Sequence, residues 1–166
     1  YICRSTEDED VSISISGFGN GNMRWGGASG GVTKTEIVAW LIDAQEKFSS
    51  FSVGYDKSLK VEIHNMSHIG RGILGYVTTS NSEQRKTLHL TDDNSRAVST
   101  MKGTTVHEYF HHAQGHPDTK IADKSLSIDL PNSNWLIEGT ARWFEDELYD
   151  SLDTYESKEG NFGYRI

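Results

Sequence analysis

Residues 11–16 read VSISIS, apolar and polar in strict alternation, which predicts a strand with one buried face. Seven glycines then fall between Gly17 and Gly31, and a loop is expected there. The period changes beyond it: Ile37, Trp40, Leu41, Ala44 and Phe48 recur at helical spacing, predicting an amphipathic helix to about Ser50. Thr33-Lys34-Thr35-Glu36 marks its start as a capping box, in which hydroxyl and carboxylate satisfy orphan amides reciprocally. Three short strands are predicted at 61–65, 73–79 and 87–91, with Gly70, Gly72 and Asn81-Ser82 at the turns. A second helix should open near Asn94-Ser95 and run to Gln114, with Val98, Met101, Val106, Phe110 and Ala113 on its core face. Gly115 and Pro117 end it. A third helix is predicted over 134–150, with a core stripe of Ile137, Ala141, Phe144 and Leu148. Helix, strands, then two helices, with no internal repeat, predicts an α+β domain.

At 166 residues the chain is long enough for one domain with a real core and short for two. We divide it into an N-terminal strand and Gly-rich loop (1–32), a helix, sheet and second helix (33–115), and a linker, third helix and tail (116–166). No apolar run approaches the roughly 18 residues that a membrane-spanning helix needs. The chain shows no signal-peptide pattern, and its start at Tyr1 suggests a processed or trimmed protein. A net charge of −8, with Glu7-Asp8-Glu9-Asp10 as a solvated arm, argues against nucleic acid and anionic membranes as partners. Gly17-Phe18-Gly19-Asn20-Gly21 lacks the G-K-[ST] ending of a phosphate loop, so nucleotide binding is not expected. Cys3, the single cysteine, has no partner in this chain.

The chemistry concentrates in VHEYFHHAQGHPD (106–118), which holds four of the seven histidines and reads H-E-x-x-H at His107, Glu108 and His111. Histidines four apart on a helix emerge from one face a turn apart, so both imidazoles can hold one Zn²⁺. Glu108 lies about 100° further round. It can reach a water acidified by the ion without itself being a ligand, as a general base must. Chance produces this pattern in about 2 % of shuffled chains of this composition, and helical placement lowers that risk further.

Two nitrogens leave a zinc site one protein ligand short, and two residues could supply it. His116 is out of register: the layout H-E-x-x-H-x-x-G-x-x-H needs glycine at 114 and histidine at 117, where this chain has Gln114 and Pro117. The other candidate is Glu138 in NWLIEGTARWFEDE, which would complete a His₂Glu set. Small Ala141 and Gly139 are expected to let its helix approach the histidine helix closely.

HEYFHHAQ followed by NWLIEGTARWFED resembles the gluzincin metallopeptidases, in which H-E-x-x-H and a downstream helical glutamate hold zinc. The Glu138-Gly139-Thr140-Ala141-Arg142-Trp143-Phe144-Glu145 run is similar to that of bacterial collagenases and aminopeptidase-like gluzincins. The likeness covers about 98–150 and is architectural before that. It implies a zincin-like α+β fold, with His107, His111 and Glu138 on Zn²⁺ and Glu108 as base in peptide-bond hydrolysis. It further implies that Glu145 supports a ligand imidazole, and that Thr87, Leu88, His89 and Leu90 form the edge strand that takes the substrate backbone. His89 itself is expected to be an ordinary strand residue, as are His64 and His68, while His112 points away from the ion. Protein or peptide substrates and a secreted, extracellular or periplasmic setting follow from the same resemblance.

Gluzincins carry a further subdomain after the third ligand, and only 28 residues follow Glu138 here, so a longer polypeptide with further domains is expected. Tyr149, Tyr155 and Tyr164 are available to stabilise an oxyanion, and the sequence does not choose among them. The rival reading is a zincin-fold recognition or adhesion module without turnover, against which the intact Glu108 argues. Asp92-Asp93-Asn94 could form a calcium site, but reads better as a turn with a helix cap.

Overall fold

The computed structural model describes residues 12–17, 25–26, 31–51, 53–70, 72–78, 82–116 and 134–149. In chain order these form β1 (Ser12–Ser16), α1 (Lys34–Ser50), β2 (Ser58–His64), β3 (Gly75–Val77), the single turn α2 (Ser82–Arg85), β4 (Thr87–Thr91), α3 (Val98–Gln114) and α4 (Asn134–Tyr149). The fold is α+β, as the order of patterns predicts. The acidic arm, Cys3, residues 18–21, Asn81, both prolines, Tyr155 and Tyr164 lie outside the described residues.

The capping box forms as read: Glu36 N–H donates to the Thr33 hydroxyl, and the Thr33 N–H donates to the Glu36 carboxylate. All five residues predicted for the buried face of α1 are buried. The sheet has the order β1-β2-β4-β3, with β1, β2 and β4 parallel and β3 antiparallel. Period-two alternation sends Ile13, Leu59, Val61, Ile63, Leu88 and Leu90 into one core with the three long helices. In register on the opposite face stand Glu62, His89 and Tyr76. Tyr76 stacks flat on the His89 ring at 4.3 Å, and His64 Nε2 lies 3.0 Å from His89 Nδ1.

One helix boundary moves for a plain physical reason. The helix expected from Asn94-Ser95 begins at Val98, because the Asp93 carboxylate accepts from the Ser95 amide, the Ser95 hydroxyl and Arg96 Nε to make a turn first. Those bonds also place a turn where calcium was the alternative. Trp25, assigned to a loop by its glycine-rich surroundings, is buried and donates its indole N–H to the Thr91 carbonyl at 2.9 Å.

Phe48 joins α1, α3 and α4. Its ring stacks on Phe144 at 4.7 Å and meets Tyr109 edge-on at 4.9 Å, while Phe110 and Phe144 stack at 4.7 Å. This aromatic wedge docks α4 against α3 and so sets where Glu138 projects. The small residue that admits the approach is Gly103 on α3, not Gly139. A Cβ on Gly103 would stand 2.2 Å from Glu145 Oε1, whereas one on Gly139 would meet nothing within 4 Å. Ala141 is buried in the interface as expected. Among the described residues no helix is long and apolar enough to cross a membrane.

Candidate metal centre

One turn apart on α3, His107 and His111 aim their Nε2 atoms at each other across 3.1 Å, with rings at 88°. Glu138, from the second turn of α4, completes the cluster: Oε2 lies 3.2 Å from His107 Nε2, and Oε1 lies 3.5 Å from His111 Nε2. One donor atom from each residue falls within 4.8 Å of the other two, and among the described residues no other group of three does so. Burial, reinforced by the neighbouring His111, lowers the His107 pKa to about 4, with Glu138 opposing the shift. A neutral imidazole keeps a lone pair for a cation, so the donor set fits a divalent ion. The histidines are largely buried and Glu138 is 60 % exposed, which leaves one side of the cluster open.

Glu108 follows His107 and stays outside this ligand group. It is 8 % exposed and lines a cavity of about 170 Å³ with Leu74, Gly75, Thr104, His107, Arg142 and Glu145. Burial first, and the Glu138 charge second, push its carboxyl up to about 8. A bound dication would pull that value back down. Gly75 makes the close approach possible, since a Cβ there would lie 2.8 Å from Glu108 Cγ and 2.9 Å from Thr104 Cγ2. A glycine inside a strand pattern signals such an approach, and that signal was legible at Gly75.

Glu145 reaches in through the space left by Gly103. Its Oε2 accepts from Arg142 Nη1 and lies 3.8 Å from His107 Nδ1, which is buried without a hydrogen-bond partner. The carboxylate is therefore beside the His107 imidazole, one step beyond hydrogen-bond length. Burial raises its pKa and Arg142 counters the shift.

The expected substrate edge needs correction. Thr87, Leu88, His89 and Leu90 lie on β4, which is paired on both sides by β2 and β3. An interior strand has its amides and carbonyls committed to its neighbours and cannot accept another chain. Among the described residues the edge beside Glu108 is β3. Strand order is not written in strand pattern, so periodicity along 87–91 does not show that this strand is interior.

The other histidines stand apart. His116 Nε2 lies 3.8 Å from Asp56 Oδ1 and is outside the ligand group. Tyr149 does not line the cavity; its ring lies under Lys102 Nζ. His112 is fully buried, with Nδ1 2.8 Å from the Arg85 carbonyl while Nε2 accepts the Asp56 amide at 2.9 Å. Those partners require the neutral Nδ1–H tautomer, and burial lowers the ring's pKa to about 4. Because the folded value lies below the unfolded one of 6.5, the unfolded chain takes the proton first. The stability that His112 supports is thus present above 6.5 and is lost as pH falls toward about 4. In a proton–carbon NMR titration the His112 ring should show no inflection between pH ~8 and ~5; a midpoint near its unfolded value would contradict the assigned bonds.

Family models, curated proteins and solved structures yield no match to this chain. What can be said of the site therefore rests on its own geometry: two histidines and a glutamate that can hold a metal ion, beside a buried carboxyl in a cleft.

Proposed function

We propose that the chain is a zinc-dependent peptidase of the gluzincin kind, with His107, His111 and Glu138 as ligands and Glu108 as general base. The observation that carries the reading is the position of Glu108: it shares the cavity with His107, yet is not one of the three converging ligands. A site built only to hold an ion has no use for a buried carboxyl there. When bound, zinc acidifies a water and polarises a carbonyl. Glu108 takes the proton as the water oxygen attacks the peptide carbon, and delivers it to the amine nitrogen as the C–N bond breaks. Among the described residues β3 ends the sheet, and this edge, with Gly75 against Glu108, is where an extended peptide would add by backbone hydrogen bonds. Protein or peptide substrates in an extracellular setting belong to the same proposal and rest on the family resemblance.

The test is zinc content after mild dialysis, for wild type beside Glu138→Ala, followed by a peptide-library digest. We expect one zinc per wild-type chain, markedly less in the variant, and cleavage by wild type only. Equal zinc in both would remove Glu138 as a ligand. Zinc bound by wild type without cleavage of any peptide would favour the recognition or adhesion module.

A further inference from the structure

We propose that Gln114 is a positioning residue that joins the two halves of the metal centre and thereby sets its metal affinity. The inference rests on the zinc site proposed above and adds a residue to it. Gln114 is the last residue of α3, three after His111. Its Oε1 lies 2.7 Å from His111 Nδ1. Its Nε2 donates to the Ile137 carbonyl at 3.0 Å and to the Thr140 hydroxyl at 2.6 Å. Ile137 immediately precedes Glu138, and Thr140 follows it by two residues. One side-chain amide thus contacts the second ligand directly and brackets the third.

The partners determine which way the amide points. Turning it over would set Oε1 against the Ile137 carbonyl oxygen, acceptor on acceptor, and Nε2 against His111. In the observed orientation the α4 acceptors take both amide hydrogens, which leaves Oε1 to accept from His111 Nδ1–H. His111 is then protonated at Nδ1 and presents the Nε2 lone pair toward His107 and Glu138.

The tether has a second effect. Glu138 is 60 % exposed, so packing of its own side chain does little to place it. Registering the first turns of α4 against the end of α3 places the Glu138 backbone instead. Gln114 also stands where the H-E-x-x-H-x-x-G-x-x-H layout has its glycine, which turns the chain so that a nearby histidine arrives as third ligand. Here the helix runs on to a glutamine that recruits the third ligand from another helix.

Gln114→Leu removes every one of these bonds at similar size, and Gln114→Glu keeps an acceptor for His111 while losing the donors. Zinc affinity is measured by competition with a chromophoric chelator, and the His111 tautomer by long-range proton–nitrogen NMR of the metal-free protein. Tautomer is a readout that a merely structural role would not move. We expect zinc to bind about 10–100-fold more weakly to Gln114→Leu, as for loss of other supports of metal ligands. His111 should remain Nδ1-protonated in wild type and Gln114→Glu and become a tautomer mixture in Gln114→Leu. Wild-type affinity in Gln114→Leu, or an unchanged His111 tautomer in it, would overturn the inference and leave the zinc site standing. Absence of zinc from wild type would instead overturn the site itself. If Gln114→Leu does not fold, Thr140→Val takes its place: weaker zinc binding supports the tether to α4, and unchanged binding overturns it.

Discussion

Glu108→Gln should retain one zinc per chain and lose peptide hydrolysis by about 10²–10⁴-fold, the usual worth of a general acid–base group. Glutamine has the shape of glutamate, so it fits under Gly75, where an added Cβ would already lie 2.8 Å from Glu108 Cγ. Glu108 is not among the converging ligand atoms, so the metal should not leave with the charge. Folding should not suffer either, because burial already favours the uncharged form of this carboxyl in the metal-free protein. In the proposed mechanism, what disappears is the group that accepts the water's proton and donates it to the leaving amine. Paired measurements of zinc content and initial rate on a cleavable peptide decide the matter. Hydrolysis at the wild-type rate would remove Glu108 from the mechanism, and loss of zinc would make it a ligand.

Phe48→Ala should cost about 3–5 kcal/mol, the range for truncating a buried aromatic side chain. Phe48 is fully buried and packs on rings from α3 and α4 as well as on Tyr55. Against a typical total stability of about 5–15 kcal/mol, that loss brings the chain close to unfolding. The effect should reach the site, because Phe144 holds α4 and α4 carries Glu138. Denaturant titration followed by circular dichroism gives the first quantity, and zinc affinity at a denaturant-free baseline gives the second. Phe51→Ala is the control: the residue is 39 % exposed and meets α4 only through the Trp143 ring at 5.3 Å, so a loss of about 1 kcal/mol is expected. A loss from Phe48→Ala no larger than the control's would show that the wedge contributes little.

Much of this protein was legible along the chain. Amphipathic period alone located α1 and its five buried apolar residues, and the capping box located its first turn. Histidines at i and i+4 on a helix must share a face, so the pairing of His107 with His111 follows from helix geometry. Glu138 was identifiable from its motif, but its distance to the histidines was not. That distance depends on Phe48, Phe144 and Gly103 packing two helices that are remote in sequence. Small size makes Gly139 a candidate for the contact, but a Cβ there would meet nothing within 4 Å, and the close approach falls a turn or more further along at Glu145.

What the sequence by itself determined are the quantities set within a few residues: element type, period, caps, and which side chains share a helix face. Local sterics and hydrogen bonding decide these, and they act at short range along the chain. Only the tertiary structure decided which strand is the edge, because pairing order depends on contacts among segments far apart in sequence. It also decided that Gly75 admits Glu108, that Glu145 lies under His107, and that Gln114 reaches from His111 to the helix of Glu138. Each of those is a meeting of side chains from different elements, and no periodicity along one element records what will be packed against it.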